Sequence, residues 1–223
     1  MRSTILLATL VLFCSAVPAL ALGTVTTKPA TNAGSMLEIE RRLSSLGYWI
    51  TKADGRRDAS TQHAIMAFQK VEGRKRTGTM SSADLAALRT AQTPTAKYPE
   101  DKTAHIEVDL TRQVLFFVND TGTVTRILPI SSGNEKKFKD RGEWKVAHTP
   151  RGLFPVGAKI NGIRESSLGL LYYPSYFVGG LAIHGSNSIP PYPASHGCVR
   201  VPRFADQALF KMIKMQMKVY LYD

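Results

Sequence analysis

Past residue 34 the chain changes its hydrophobic rhythm once, and that change divides it. Met36, Ile39, Leu43 and Leu46 recur at helical spacing, and Gly47 closes the run. Ser35, with Glu38 three residues on, predicts a capping box at the start of this helix. A second helix is predicted from Asp58 or Ser60 to near Gly73, with Ala64, Ile65 and Phe68 on one face. A third starts at Ser81, with Asp84 as its capping partner and Leu85 and Leu88 as its apolar stripe. Three short helices over residues 35–90 make a small bundle whose thin core gives modest stability on its own. Residues 91–103 place Pro94 and Pro99 among polar residues and read as a linker. Beyond it the pattern alternates. Ile106, Val108 and Leu110 face one way and His105, Glu107 and Asp109 the other, which predicts a half-buried strand. Val114–Val118 and Thr123–Ile130 follow as strands around a turn at Asn119-Asp120-Thr121-Gly122. A helix is expected near Phe204 to Met215 and a last strand at Lys218–Tyr222. Residues 104–223 thus read as mostly β, and the whole chain as α+β: a three-helix bundle followed by a β domain.

The first 34 residues follow neither rhythm. Arg2, the apolar run Ile5 to Val17 and the small residues of Ala19-Leu20-Ala21 predict a signal peptide over 1–21, leading to a secreted protein of periplasm or cell wall. The run is short for a membrane span, which needs roughly 20 residues. Retention as an uncleaved anchor is one alternative, and lipidation at Cys14, against which bulky Phe13 argues, is another. Residues 22–34, rich in Thr, Ala, Gly and Pro, read as a flexible leader. Loss of Arg2 with the signal lowers the formal charge from +12 to +11. An exported protein this basic meets anionic surfaces such as cell-wall polymers. No nucleic-acid motif is present, and export argues against nucleic acid as a partner.

Of the two cysteines, Cys14 and Cys198, only Cys198 would survive signal removal. A lone thiol in an oxidising compartment can form neither an intramolecular disulfide nor a multi-cysteine zinc site. It stands in Ser195-His196-Gly197-Cys198-Val199-Arg200, fourteen residues after His184-Gly185. Acyl transfer by cysteine needs a base near the thiol and donors for the oxyanion. His184 can come from a neighbouring strand, Gly197 lets backbone N–H groups approach a carbonyl, and Arg200 suits a carboxylate or braces the loop.

This block resembles the active-site motif of the L,D-transpeptidases (the YkuD family): a His-Gly, a spacer, then Ser-His-Gly-Cys-x-Arg. The resemblance extends over residues 104–222 through Val108-Asp109-Leu110, Gln113-Val114-Leu115, Pro129 to Gly133 and Thr149-Pro150-Arg151-Gly152. Residues 35–90 are similar to a three-helix peptidoglycan-binding domain at Leu43, Leu46-Gly47-Tyr48, Asp54-Gly55, Thr61, Ala64, Phe68-Gln69 and Thr77-Gly78. The resemblance implies a sandwich-type catalytic domain in which Cys198 is the nucleophile and His184 the proton donor and acceptor. The Gly185 carbonyl would orient the His184 ring. Backbone amides near His196, Gly197 and Cys198 would form the oxyanion hole, with Ser195 and Arg200 binding substrate or bracing the loop. It further implies a thioester acyl-enzyme built from a donor tetrapeptide stem, then attack by an acceptor amine to give a 3→3 cross-link, with no metal or organic cofactor.

Other readings stay open on these residues. The same site resolved by water is an L,D-carboxypeptidase, and an unreactive Cys198 would leave a wall-binding protein. His184, His196 and Cys198, with His148 or an acid as a fourth ligand, could bind zinc, although their spacing matches no zinc motif. His63 and His105 read as surface or packing residues, and Arg56-Arg57, Arg74-Lys75-Arg76 and Lys136-Lys137 as solvated faces or wall contacts. Tyr173, Tyr176 and Tyr192 lie in segments that would frame a cleft.

Overall fold

A computed structural model describes residues 35–223. The predicted signal and leader lie outside the described residues. Three helices open the fold: α1 (Met36–Ser45), α2 (Ala59–Val71) and α3 (Ser82–Thr90). Ser81 and Asp84 form the full reciprocal box at α3. At α1 Ser35 Oγ accepts the Glu38 N–H at 3.2 Å, while the Glu38 carboxylate meets Arg89 of α3. Asp58 caps α2 by accepting the Thr61 N–H at 2.8 Å.

The residues that carried the resemblance in this region hold it together. Buried Glu40 accepts the Gly55 N–H at 2.7 Å and the Thr61 hydroxyl at 2.8 Å. Gln69 Oε1 accepts the N–H groups of Thr77 and Gly78, both at 2.8 Å. Each side chain ties a loop to a helix by accepting from backbone N–H groups of the loop.

Two sheets follow. The first runs β3 (Val124–Pro129), β2 (Val114–Val118), β1 (His105–Asp109), β12 (Lys218–Tyr222), β6 (Gly152–Pro155). The second runs β11 (Val199–Pro202), β10 (Leu181–Ser186), β9 (Gly169–Val178), β7 (Ala158–Lys159), with β8 (Ile163–Ser166) also paired to β9. Strands β4 (Lys137–Asp140) and β5 (Glu143–Val146) form a separate hairpin. Helix α4 (Arg203–Met212) packs on β9, β10 and β11. The main core lies between the sheets: Ile106, Val108, Leu115 and Phe117 from one face meet Ile183, Val199 and Val201 from the other, with Leu209 of α4.

Strand β2 shows why its five residues are all apolar. Leu115 and Phe117 point into the sandwich, whereas Val114, Phe116 and Val118 point outward and pack against Leu43, Ile65, Phe68 and Leu88 of the helices. The bundle therefore does not rely on its own thin core. It shares a second core with the outer face of the first sheet. After α1 the chain also pairs with the edge strand, the Ile127 N–H donating to Gly47 O at 2.8 Å and the Trp49 N–H to Ile127 O at 3.1 Å.

Strand β1 departs from the half-buried expectation, since all five of its residues are buried. Its polar face is covered by residues 91–103, which form no helix or strand but are strapped down. Glu107 accepts the N–H groups of Lys97 and Tyr98, both at 2.8 Å, and Tyr98 stacks on Tyr220 with ring centroids 4.2 Å apart. Asp101 accepts from Lys218 Nζ at 3.0 Å and the Tyr220 hydroxyl at 2.8 Å. No helix of the described residues is long and apolar enough to cross a membrane.

Candidate active site

The site forms where β10 and β11 run parallel, with His184 opposite Arg200 in register. Alternation does the sorting. Ile183, Val199 and Val201 enter the core, so His184, Cys198 and Arg200 turn to the other face. There they line one cleft of about 670 Å³. The Pro-rich spacer thus closes a crossover that brings His184 and Cys198, fourteen residues apart in sequence, into the same cleft.

Cys198 is partly exposed in the cleft wall. Its sulfur accepts the Ala182 N–H at 3.4 Å. Burial pushes the thiol above its ordinary range; the Ala182 N–H and the Arg200 charge oppose that shift. His184 Nδ1 bonds to Gly185 O at 2.8 Å, which makes Nδ1 the protonated nitrogen and leaves Nε2 as the basic one. Burial, with Arg200 adding to it, lowers His184 to about 4 against the Gly185 bond, so the imidazole is neutral at pH 7. The resting pair is a neutral thiol beside a neutral base.

Gly185 leaves no room for a side chain, because a Cβ there would overlap the Asp206 carboxylate of α4. Gly197 has φ +129°, and a Cβ on it would come within 2.8 Å of His148 O. The turn is braced by Ser195, whose Oγ donates to Cys198 O at 2.6 Å and accepts the Gly197 N–H at 3.0 Å. The Gly197 N–H is thereby engaged within the turn. Gly197 O accepts from Thr149 Oγ1 at 2.7 Å, and Thr149 Oγ1 accepts the Gly133 N–H at 2.8 Å. The segments Pro129 to Gly133 and Thr149 to Gly152 therefore flank the cysteine turn.

The His196 ring packs on Phe138 of the β4–β5 hairpin at 4.6 Å between centroids, and burial lowers its pKa. Arg200 Nη and Nε atoms have no ion-pair partner among the described residues, and burial lowers its pKa as well. Of the candidate tyrosines, Tyr176 lines the cleft together with Tyr172, whereas Tyr173 and Tyr192 do not. Arg141 and Arg164 also reach it, from the β4–β5 turn and from β8. Sequence reasoning missed both; the Arg141-Gly142 pair takes left-handed φ of 51° and 89° in the turn, and Gly142 is the one sequence signal of it. Among the described residues no three His, Cys, Asp or Glu side chains are placed to hold a metal ion. His63, partly exposed, packs edge-on against Phe204, and His105 is buried against Glu107.

Comparisons with known proteins agree with this geometry. Residues 103–221 match the family described as the L,D-transpeptidase catalytic domain, YkuD, and residues 32–88 match a putative peptidoglycan binding domain. The chain is similar to the crystal structure of an L,D-transpeptidase from Xylanimonas cellulosilytica at 40% identity and a TM-score of 0.77, over 84% of this chain and 92% of that one. An L,D-transpeptidase (Yku) from Stackebrandtia nassauensis aligns at 24% identity and a TM-score of 0.49, over 85% of this chain and 91% of that one. A comparison with curated protein sequences found no match.

Proposed function

Because the chain belongs to the L,D-transpeptidase family, with a peptidoglycan-binding region ahead of the catalytic domain, we propose that it is an exported acyltransferase forming 3→3 cross-links in peptidoglycan. One observation carries the reading: a thiol held by a backbone N–H shares a cleft with an imidazole whose Nδ1 is fixed, leaving Nε2 as the base. Cys198 Sγ attacks the donor carbonyl ahead of the terminal D-residue, and His184 Nε2 takes the thiol proton. The N–H groups of His196 and Cys198 stabilise the oxyanion. As the C–N bond breaks, the proton passes to the departing amine, leaving a thioester on Cys198. An acceptor amine then attacks the thioester, returns its proton through His184 and frees the thiol. The apolar segment at residues 5–17 and the basic surface support delivery to an anionic wall.

Intact-mass spectrometry after incubation with a donor tetrapeptide tests this. The expected result is an adduct on Cys198 of the donor less its terminal D-residue, absent from Cys198→Ala. Wild type without the adduct overturns the reading. Adding an acceptor amine separates transfer from hydrolysis: a cross-linked dimer supports transpeptidation, and a free tripeptide alone identifies a carboxypeptidase.

A further inference from the structure

Lys70 is a buried amine that the mechanism does not use. Lys70 of α2 is fully buried between the helices and the first sheet, and no acid forms an ion pair with it among the described residues. A methionine or leucine would fill a helix–sheet contact without the cost of desolvating an amine. Lys70 Nζ instead donates to Gln113 O at 3.0 Å and Ile130 O at 2.8 Å.

Both carbonyls lead to the cysteine turn. Gln113 sits at φ 61°, a left-handed conformation that costs a non-glycine residue roughly 1 kcal/mol or more. Its side chain accounts for that conformation: Nε2 donates to Ser132 Oγ at 2.8 Å and Oε1 accepts the Ser132 N–H at 2.9 Å. Ser132 O accepts the N–H groups of Ala194 and Ser195 at 3.0 and 2.8 Å. Ser195 Oγ then donates to Cys198 O. Ile130 precedes Ser131, whose backbone bonds both ways with Arg200 and whose Oγ donates to Tyr192 O at 2.8 Å. The helical region reaches the same segment a second time. Arg76, five residues past the end of α2, donates to Pro191 O at 2.9 Å.

We propose that Lys70 and Arg76 are positioning residues for the acyl-transfer reaction, holding the His184–Cys198 crossover from the helical side through Ser195 and Pro191. The helical region is then part of the catalytic apparatus, whatever it binds in the wall. The inference rests on Cys198 being the nucleophile, as argued above.

The test uses the full chain with Arg76→Ala, Arg76→Lys, Lys70→Met and, as a control, Arg89→Ala, which removes only the exposed pair with Glu38. Three quantities are read: melting temperature, the rate of Cys198 alkylation by an uncharged maleimide, and kcat and KM with a tetrapeptide donor. Arg76→Ala is expected to lower kcat roughly 10-fold and Lys70→Met up to roughly 100-fold, the scale of effect when a reacting group is slightly misplaced. KM should change little, alkylation rates should shift with kcat, and Arg76→Lys should recover most of the loss. Wild-type kcat in folded Arg76→Ala overturns the proposal, as does an equal loss in Arg89→Ala. Should Lys70→Met fail to fold, the Arg76 pair decides alone. A wild-type protein inert to tetrapeptide overturns the functional reading instead, while alkylation rates still report whether Lys70 and Arg76 shape the turn.

Discussion

His184 titrates where burial puts it, near 4 instead of 6.5, and two consequences follow at the scale of the residue. The first concerns rate. A neutral Nε2 is available to take the thiol proton down to about pH 5, so acylation of Cys198 should hold between pH 6 and 8 and fall only below about 5. A plot of acylation rate against pH that bends near 6.5 would contradict this. The second concerns stability. A base with a depressed folded pKa binds fewer protons in the native state than in the unfolded one, here between pH 4 and 6.5. Stability therefore falls as pH drops through that window, by about 2–3 kcal/mol from this group. His63, also lowered to about 4 by burial, acts in the same direction, so the comparison must be with His184→Gln. Urea unfolding at pH 7 and 4.5 should show wild type losing more than the variant, and parallel losses would refute the assignment. Gly185→Ala tests the packing behind the ring. Its Cβ would have to displace the Asp206 carboxylate, an overpacking cost of about 1–3 kcal/mol. Because the displaced strand carries the carbonyl that holds Nδ1, acylation should slow in the protein that remains folded.

At the scale of elements, legibility followed periodicity. The three helices announced themselves because caps and apolar stripes are local, and β12 was readable to the residue because it alternates between turns. The β4–β5 hairpin was not, since its apolar residues, Phe138, Trp144 and Val146, are few and alternate with Lys137, Lys139, Glu143 and Lys145 over strands of only four residues. The cysteine block was legible because its chemistry is compressed into six residues, plus one His-Gly pair. The role of its supports was not. Thr149 and Gln113 stand in segments that carry the resemblance, but they and Lys70 act through two or more hydrogen bonds each across the fold, and such contacts leave no spacing in sequence. The misread polar face of β1 has the same origin. Glu107 looked solvent-facing because a carboxylate usually is, yet it holds residues 97 and 98 in place. Glu107→Ala should remove the acceptor of two part-buried N–H groups and of the Tyr222 hydroxyl, costing about 3–5 kcal/mol. Chemical denaturation would register that loss, and a change below about 1 kcal/mol would show that the strap contributes little.

At the scale of the whole molecule, the two regions with separate family matches share one interior. Phe116 and Val118 of β2 lie among Leu43, Phe68 and Leu88, while the next residues along the same strand, Leu115 and Phe117, belong to the sandwich core. A single strand thus serves as wall for both cores, and neither can open without exposing apolar area of the other. Removing the helices would uncover Val114, Phe116, Val118 and Ile127 together, and would leave the Gln113 and Ile130 carbonyls without Lys70. Residues 35–223 should therefore melt in one cooperative step, although their composition suggests two modules joined by a linker. Phe116→Ala is the discriminating variant. It should cost roughly 3–5 kcal/mol and lower the midpoint for helical ellipticity and for aromatic near-ultraviolet signals by the same amount. Two resolved transitions in calorimetry, or a helical signal lost ahead of the aromatic one, would show that the regions are thermodynamically separate. Coincident loss means that the helices and the sheet carrying β2 form one cooperative unit, so that a change in either core lowers the stability of both.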